Sequence, residues 1–154
     1  MAIMITQKTF RLSGKDLGEQ WHVLDAAGRP LGRVAGDAAR LLLGKHKPTY
    51  EPHLAMGDHV VIVNAGAVEV TGQKSLQKTY YRHTGYPGGL RERTLRDQMT
   101  MDPTRVVERA VKGMVPHNAR GRAILRRLKV YVGPDHPHEA QVNAGRGKSA
   151  AAKE

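Results

Sequence analysis

Apolar residues recur along this chain in two rhythms. Between Leu31 and Leu42 the positions Leu31, Val34, Ala35, Ala38, Leu41 and Leu42 fall three or four apart, which places them on one face of a helix. Pro30 suits the first helical position and Gly44 a left-handed stop, while Arg33, Asp37 and Arg40 lie on the outer side. His59 to Asn64 (HVVIVN) is instead a nearly continuous β-branched run, the pattern of a strand buried on both faces. Ahead of the helix, Gln20 to Ala26 (QWHVLDA) reads as a first strand that turns at Gly28-Arg29-Pro30. Strand, helix and buried strand in that order predict a βαβ unit, with a largely parallel sheet covered by helices.

The rest of the chain follows in shorter pieces. Residues 44–57 form a long loop with two prolines, Ala67 to Val70 a short edge strand, and Lys78 to Thr84 a further strand ending in the glycine-rich loop GYPGG at 85–89. Thr94 to Thr100 reads as a short helix. Asp102-Pro103 is a capping residue followed by proline at the first helical position, and Val106, Val107, Ala110, Val111 and Met114 then line one face as core. A basic helix near Ala119 to Leu128 and a last strand, Lys129 to Val132, complete the pattern. The expected organisation is an N-terminal extension over 1–19, an α/β domain over 20–135, and a flexible basic tail over 136–154.

Charge changes the picture from fold to partner. The 154 residues carry 25 Lys and Arg against 14 Asp and Glu, a formal charge of +11, and an excess of that sign and size points to nucleic acid. An anionic membrane surface would want a basic amphipathic helix with Trp or Phe on its apolar side, and there is one of each in the chain. No apolar run approaches the length of a membrane span, and Met1 to Gly14 lacks the apolar core of a secretory signal, so a cytoplasmic chain with no membrane partner is expected. Cysteine is absent, which removes disulfides and thiolate metal sites.

The cations cluster. Lys112 to Tyr131 holds Lys112, Arg120, Arg122, Arg126, Arg127 and Lys129 with no acid, although solvated faces normally mix both signs. Lys74 to Arg96 holds Lys74, Lys78, Arg82, Arg91, Arg93 and Arg96 against Glu92 alone, with Tyr80, Tyr81 and Tyr86 interleaved as stacking surfaces for unpaired bases. Of these, Tyr86 in the loop is the better stacking candidate, since Tyr80 and Tyr81 alternate across a strand and one of them is a half-buried strand residue. Lys45, His46 and Lys47 make a third cationic point.

Catalytic and cofactor signatures are missing: there is no phosphate-cradling GxxxxGK[ST], no dinucleotide GxGxxG followed by an acid, and no GxSxG. The alternative to a binding role is an RNA-cleaving or RNA-modifying enzyme using His46, His53, His59 or His83 as a base. No carboxylate accompanies them at a recognisable spacing. His136-Pro137-His138 lacks a second ligand pair, so neither a metal, a cofactor nor a small-molecule substrate is expected.

Several motifs occur in collinear order: WHVLDA (21–26), LGRVA (31–35), GKHKPTY (44–50), GDHVVIVNA (57–65), VTGQK (70–74), YYRHTGYPGG (80–89), VKGMVP (111–116) and GRAILRRLKVY (121–131). Together they resemble the L-thirteen family of large-subunit ribosomal proteins, in its bacterial form, over about residues 20 to 135. The resemblance implies a three-layer α/β/α domain with a four-stranded, mainly parallel sheet, and no enzymatic activity. It further implies binding to large-subunit (23S-type) rRNA early in subunit assembly, beside neighbouring ribosomal proteins. The implied RNA contacts are Lys45, His46, Lys47, Lys74, Lys78, Arg82, His83, Thr84, Gly85, Tyr86, Gly88, Gly89, Lys112, Gly113, Met114 and Pro116. The basic helix and strand add Arg120, Arg122, Arg126, Arg127 and Lys129.

Overall fold

A computed structural model describes residues 18–144; the expectations for 1–17 and 145–154 fall outside them. The elements run β1 (Trp21–Asp25), α1 (Leu31–Leu43), β2 (His59–Val63), α2 (Lys74–Gln77), β3 (Thr79–His83), β4 (Leu90–Thr94), α3 (Leu95–Met101), α4 (Pro103–Met114), α5 (Ala119–Leu125) and β5 (Leu128–Val130).

β1, β2 and β5 form a parallel sheet in that spatial order, with Val61 opposite Val23 on one side and Lys129 on the other. β2 is therefore the central strand, which is why its sequence is apolar throughout. Val60 and Ile62 face α1, α4 and α5, where they meet Val34, Ala38, Leu42, Val107, Val111 and Ile124. Each Val, Leu or Ile among them contributes roughly 1.5–3 kcal/mol when fully buried. Parallel strands need a crossover, and α1 supplies it between β1 and β2. Gly44 ends α1 in the left-handed conformation at φ 79°.

The opposite face carries Trp21, His59, Val61 and Lys129 by strand alternation. Trp21 stacks on His59 at 4.3 Å between ring centroids and meets His138 at 5.0 Å. Tyr131 Oη lies 3.0 Å from His138 Nε2, and Val142, in a helical stretch over 139–144, is buried. The chain after β5, expected to be mobile from residue 136, is thus held to the domain as far as 144.

The architecture is mixed α/β, but the expected four-stranded sheet is corrected to three parallel strands and a separate antiparallel hairpin, β3–β4. The edge strand expected at Ala67 to Val70 is reduced to a single bridge between Pro30 and Glu69. Pro30 has no N–H to extend the ladder, and α1 begins one residue later. β3 pairs only with β4, a strand whose Leu-Arg-Glu-Arg-Thr sequence offers no apolar face to signal it. Thr94 caps α3 by accepting from the Asp97 N–H, and Asp102 caps α4 by accepting from the Arg105 N–H. Met114, expected in the core stripe of α4, is 45% exposed.

Candidate nucleic-acid interface

The hairpin and α4 face each other across a cleft, and its walls are basic. In the β3–β4 register Tyr80 pairs with Arg93 and Arg82 with Arg91, so these four side chains share one face of the hairpin. That face and α4 enclose about 310 Å³ lined by Tyr80, Arg82, Arg91, Arg93, Arg105 and Arg109, among others. A second cleft of about 510 Å³ continues along α4 through Arg82, Arg105, Glu108, Arg109 and Lys112 to Leu125 and Leu128. A third, about 290 Å³, runs from Lys112 past Pro116 and His117 to Arg122 on α5. Because neighbouring clefts share lining residues, they form one channel. Glu108 is the sole acid lining it, against seven cations.

Arg109 organises this surface. Its guanidinium lies 4.8 Å from the Tyr80 ring centroid, and Lys78 Nζ lies 5.6 Å from the same ring. Burial raises the Tyr80 hydroxyl pKa, with Arg109 opposing, so the phenol stays neutral. On the far side of Arg109 a further cleft of about 530 Å³ includes Lys74, Lys78, Gly113, Met114 and Arg33. Arg105 and Arg109, unlike Lys112, were outside the expected contacts, because α4 reads as a core helix. Their spacing of four and three was the available signal, since it puts all three on the outer face. Arg105 is also held by Asp102 at 2.9 Å.

The hairpin loop presents His83, Thr84, Gly85, Tyr86 and Gly88 to solvent, with Gly89 half-buried against Thr84. Tyr86 is 76% exposed. The Gly85 N–H donates to His83 Nδ1 at 3.0 Å, and no carboxylate pairs with His83 among the described residues. Of Tyr80 and Tyr81, one of which was expected to be half-buried, Tyr80 is half-buried and Tyr81 is 60% exposed.

Elsewhere the expected contacts separate into free cations and committed ones. Lys45 is exposed. Lys47 instead turns inward and donates to Asp58 Oδ1 at 2.5 Å, to the Met56 carbonyl at 2.9 Å and to the Gly18 carbonyl at 2.7 Å. An ammonium has three protons, so none remains for a phosphate. His46 Nε2 lies 2.8 Å from Asp58 Oδ2, and His22 Nε2 lies 2.9 Å from the same oxygen. Asp58 is fully buried; although desolvation opposes ionisation, hydrogen bonds from His22, Lys47 and the Gln20 N–H prevail and hold its pKa down to about 2.

The basic helix divides in the same way. Arg127 donates to the Gly57 and Ala55 carbonyls and meets Glu19 at 2.6 Å, and Arg120 donates to the Leu54 carbonyl at 2.5 Å. Both guanidinium groups brace the 44–57 loop. Arg122 and Arg126 are exposed. Lys129 is exposed as well, but on the sheet face away from α4, so the structure does not bring it into the channel.

Residues 19–137 match the ribosomal protein L13 family. The chain belongs to that family. A relative from Symbiobacterium thermophilum, named large ribosomal subunit protein uL13, is 51% identical over 87% of this chain and 94% of its own length. Relatives of the same name from Moorella thermoacetica and Alcanivorax borkumensis are 53% and 48% identical, each covering more than nine-tenths of its own length. The channel lies on the hairpin, α4 and α5 and reaches the parallel sheet at Leu128 of β5. No helix among the described residues is long and apolar enough to cross a membrane.

Proposed function

We propose that this chain is a structural constituent of the large ribosomal subunit, that it binds large-subunit rRNA in the cytoplasm, and that it helps early subunit assembly beside neighbouring ribosomal proteins. The observation that carries the reading is the channel, where Arg82, Arg91, Arg93, Arg109, Lys112 and Arg122 converge and Glu108 alone opposes them. Cations gathered without counter-charges repel one another until a polyanion accepts them. Guanidinium groups bridge phosphate oxygens in a bidentate way, and each phosphate neutralised releases condensed counterions. The exposed Tyr86 supplies a ring face for an unstacked base, which is how single-stranded RNA segments are held, while the Tyr80 ring is taken by Arg109 and Lys78.

The test is binding of purified protein to large-subunit rRNA across a salt series. With six to ten phosphates contacted, affinity falls by roughly 10³–10⁵ between about 50 and 200 mM salt, by analogy with duplex binding. Arg109→Ala should reduce both affinity and the salt slope. A shallow dependence, or equal affinity for duplex DNA, would count against the proposal.

A further inference from the structure

We propose that His22, His46 and Asp58 form a binding site for a divalent transition-metal ion, zinc above all. The three residues come from separate segments: His22 from β1, His46 from the loop after α1, and Asp58 from the residue before β2. Their candidate ligand atoms all lie within 4.8 Å of one another. Both imidazoles present the same nitrogen, Nε2, to Asp58 Oδ2, at 2.9 and 2.8 Å. The rings stand nearly perpendicular, at 81°, so they approach that point from different directions.

The geometry is close to what an ion requires. Zinc sits roughly 2.0–2.2 Å from nitrogen and carboxylate-oxygen ligands in a tetrahedron, which sets neighbouring ligand atoms about 3.3 Å apart. Seating it requires the two contacts to Asp58 Oδ2 to open by about 0.5 Å and the two imidazole nitrogens, now within 4.8 Å, to reach the same separation. Two imidazoles and a carboxylate suit zinc, cobalt or nickel; magnesium and calcium prefer all-oxygen shells. His22 and His46 keep side-chain exposures of 30% and 24%, which gives an ion a way in and leaves room for water as a fourth ligand.

Lys47 sets the strength. Its ammonium occupies Asp58 Oδ1 and leaves Oδ2 to the imidazoles, so the carboxylate is shared between a cation already present and the incoming one. Like-charge repulsion from Lys47 should make binding weaker than at a structural zinc finger. The role is a clip: an ion here would tie β1 to the 44–57 loop, and it would stabilise the folded chain in proportion to its free concentration.

Purified full-length chain, stripped with chelator, should bind about one zinc ion by calorimetry, and its melting temperature should rise with zinc. Cobalt should give the visible absorption of a tetrahedral N/O site. His22→Phe should abolish both signals, while His136→Ala with His138→Ala should leave them intact. Absence of zinc and cobalt binding, or binding that survives His22→Phe and disappears in the His136/His138 pair, would overturn the site. If His22→Phe does not fold, imidazole nitrogen resonances of the unsubstituted chain decide: zinc must shift those of His22 and His46, and shifts confined to other histidines reject the proposal.

Discussion

Arg82 and Arg91 sit directly opposite one another across the β3–β4 hairpin. Like charges in that position destabilise a strand pair by a few tenths to about 1 kcal/mol, so the hairpin carries a cost in the free protein. Arg91→Thr should therefore raise the unfolding midpoint slightly in urea while weakening RNA binding and lowering the salt slope by about one. A variant that loses stability and affinity together would show the pair to be structural.

Neighbours in sequence, Arg126 and Arg127 should behave oppositely. Arg126 is exposed, and Arg126→Ala should change stability by less than about 0.5 kcal/mol while reducing RNA affinity. Arg127→Ala strips the Gly57 carbonyl and Glu19 of a charged donor and should cost about 1–3 kcal/mol in a denaturant titration. Equal stability of the two variants would refute this division.

Gly121 packs so closely that an added Cβ would lie 1.7 Å from the Pro116 carbonyl oxygen. The oxygen belongs to the backbone and the Cβ is fixed by it, so neither can rotate away. Gly121→Ala should destabilise by about 3 kcal/mol, the upper end of overpacking costs, and displace the 112–118 segment that walls the channel. Thermal unfolding and RNA affinity, measured on the same preparation, check both halves.

Acid should expose the role of Asp58. Its carboxyl titrates near 3.8 when unfolded and is held to about 2 in the native chain, so the folded state favours the ionised form. That stability is present above about pH 4 and is lost as pH falls toward 2, on the order of 2 kcal/mol in all. Urea midpoints between pH 5 and 2 in chelator should fall steeply for the natural chain and less steeply for Asp58→Asn. Parallel curves for the two would exclude the assignment.

The parallel core was legible because its signals are local: the α1 stripe, the β2 run and the Asp102 cap each name an element from a few residues. β4 was not, since a strand exposed along most of its length carries no alternation of apolar and polar positions. The basic segments were legible as compositions, but composition does not say which cations are already engaged. Lys47 and Arg127 look like Lys45 and Arg126 on paper. What separates them is the fold: Asp58 and the Met56 and Gly18 carbonyls close on Lys47, and Glu19 with the Gly57 carbonyl closes on Arg127. The His22–His46–Asp58 cluster was hidden for the same reason.

The third strand of the sheet, β5, is the last named element of the chain, yet its partner β2 ends at Val63. During synthesis the central strand must wait with one flank unsatisfied until Val130 has left the exit tunnel of the ribosome that makes it. Closing so long a loop late makes folding slow, and newly made copies have a window in which β2 is open to the wrong neighbour.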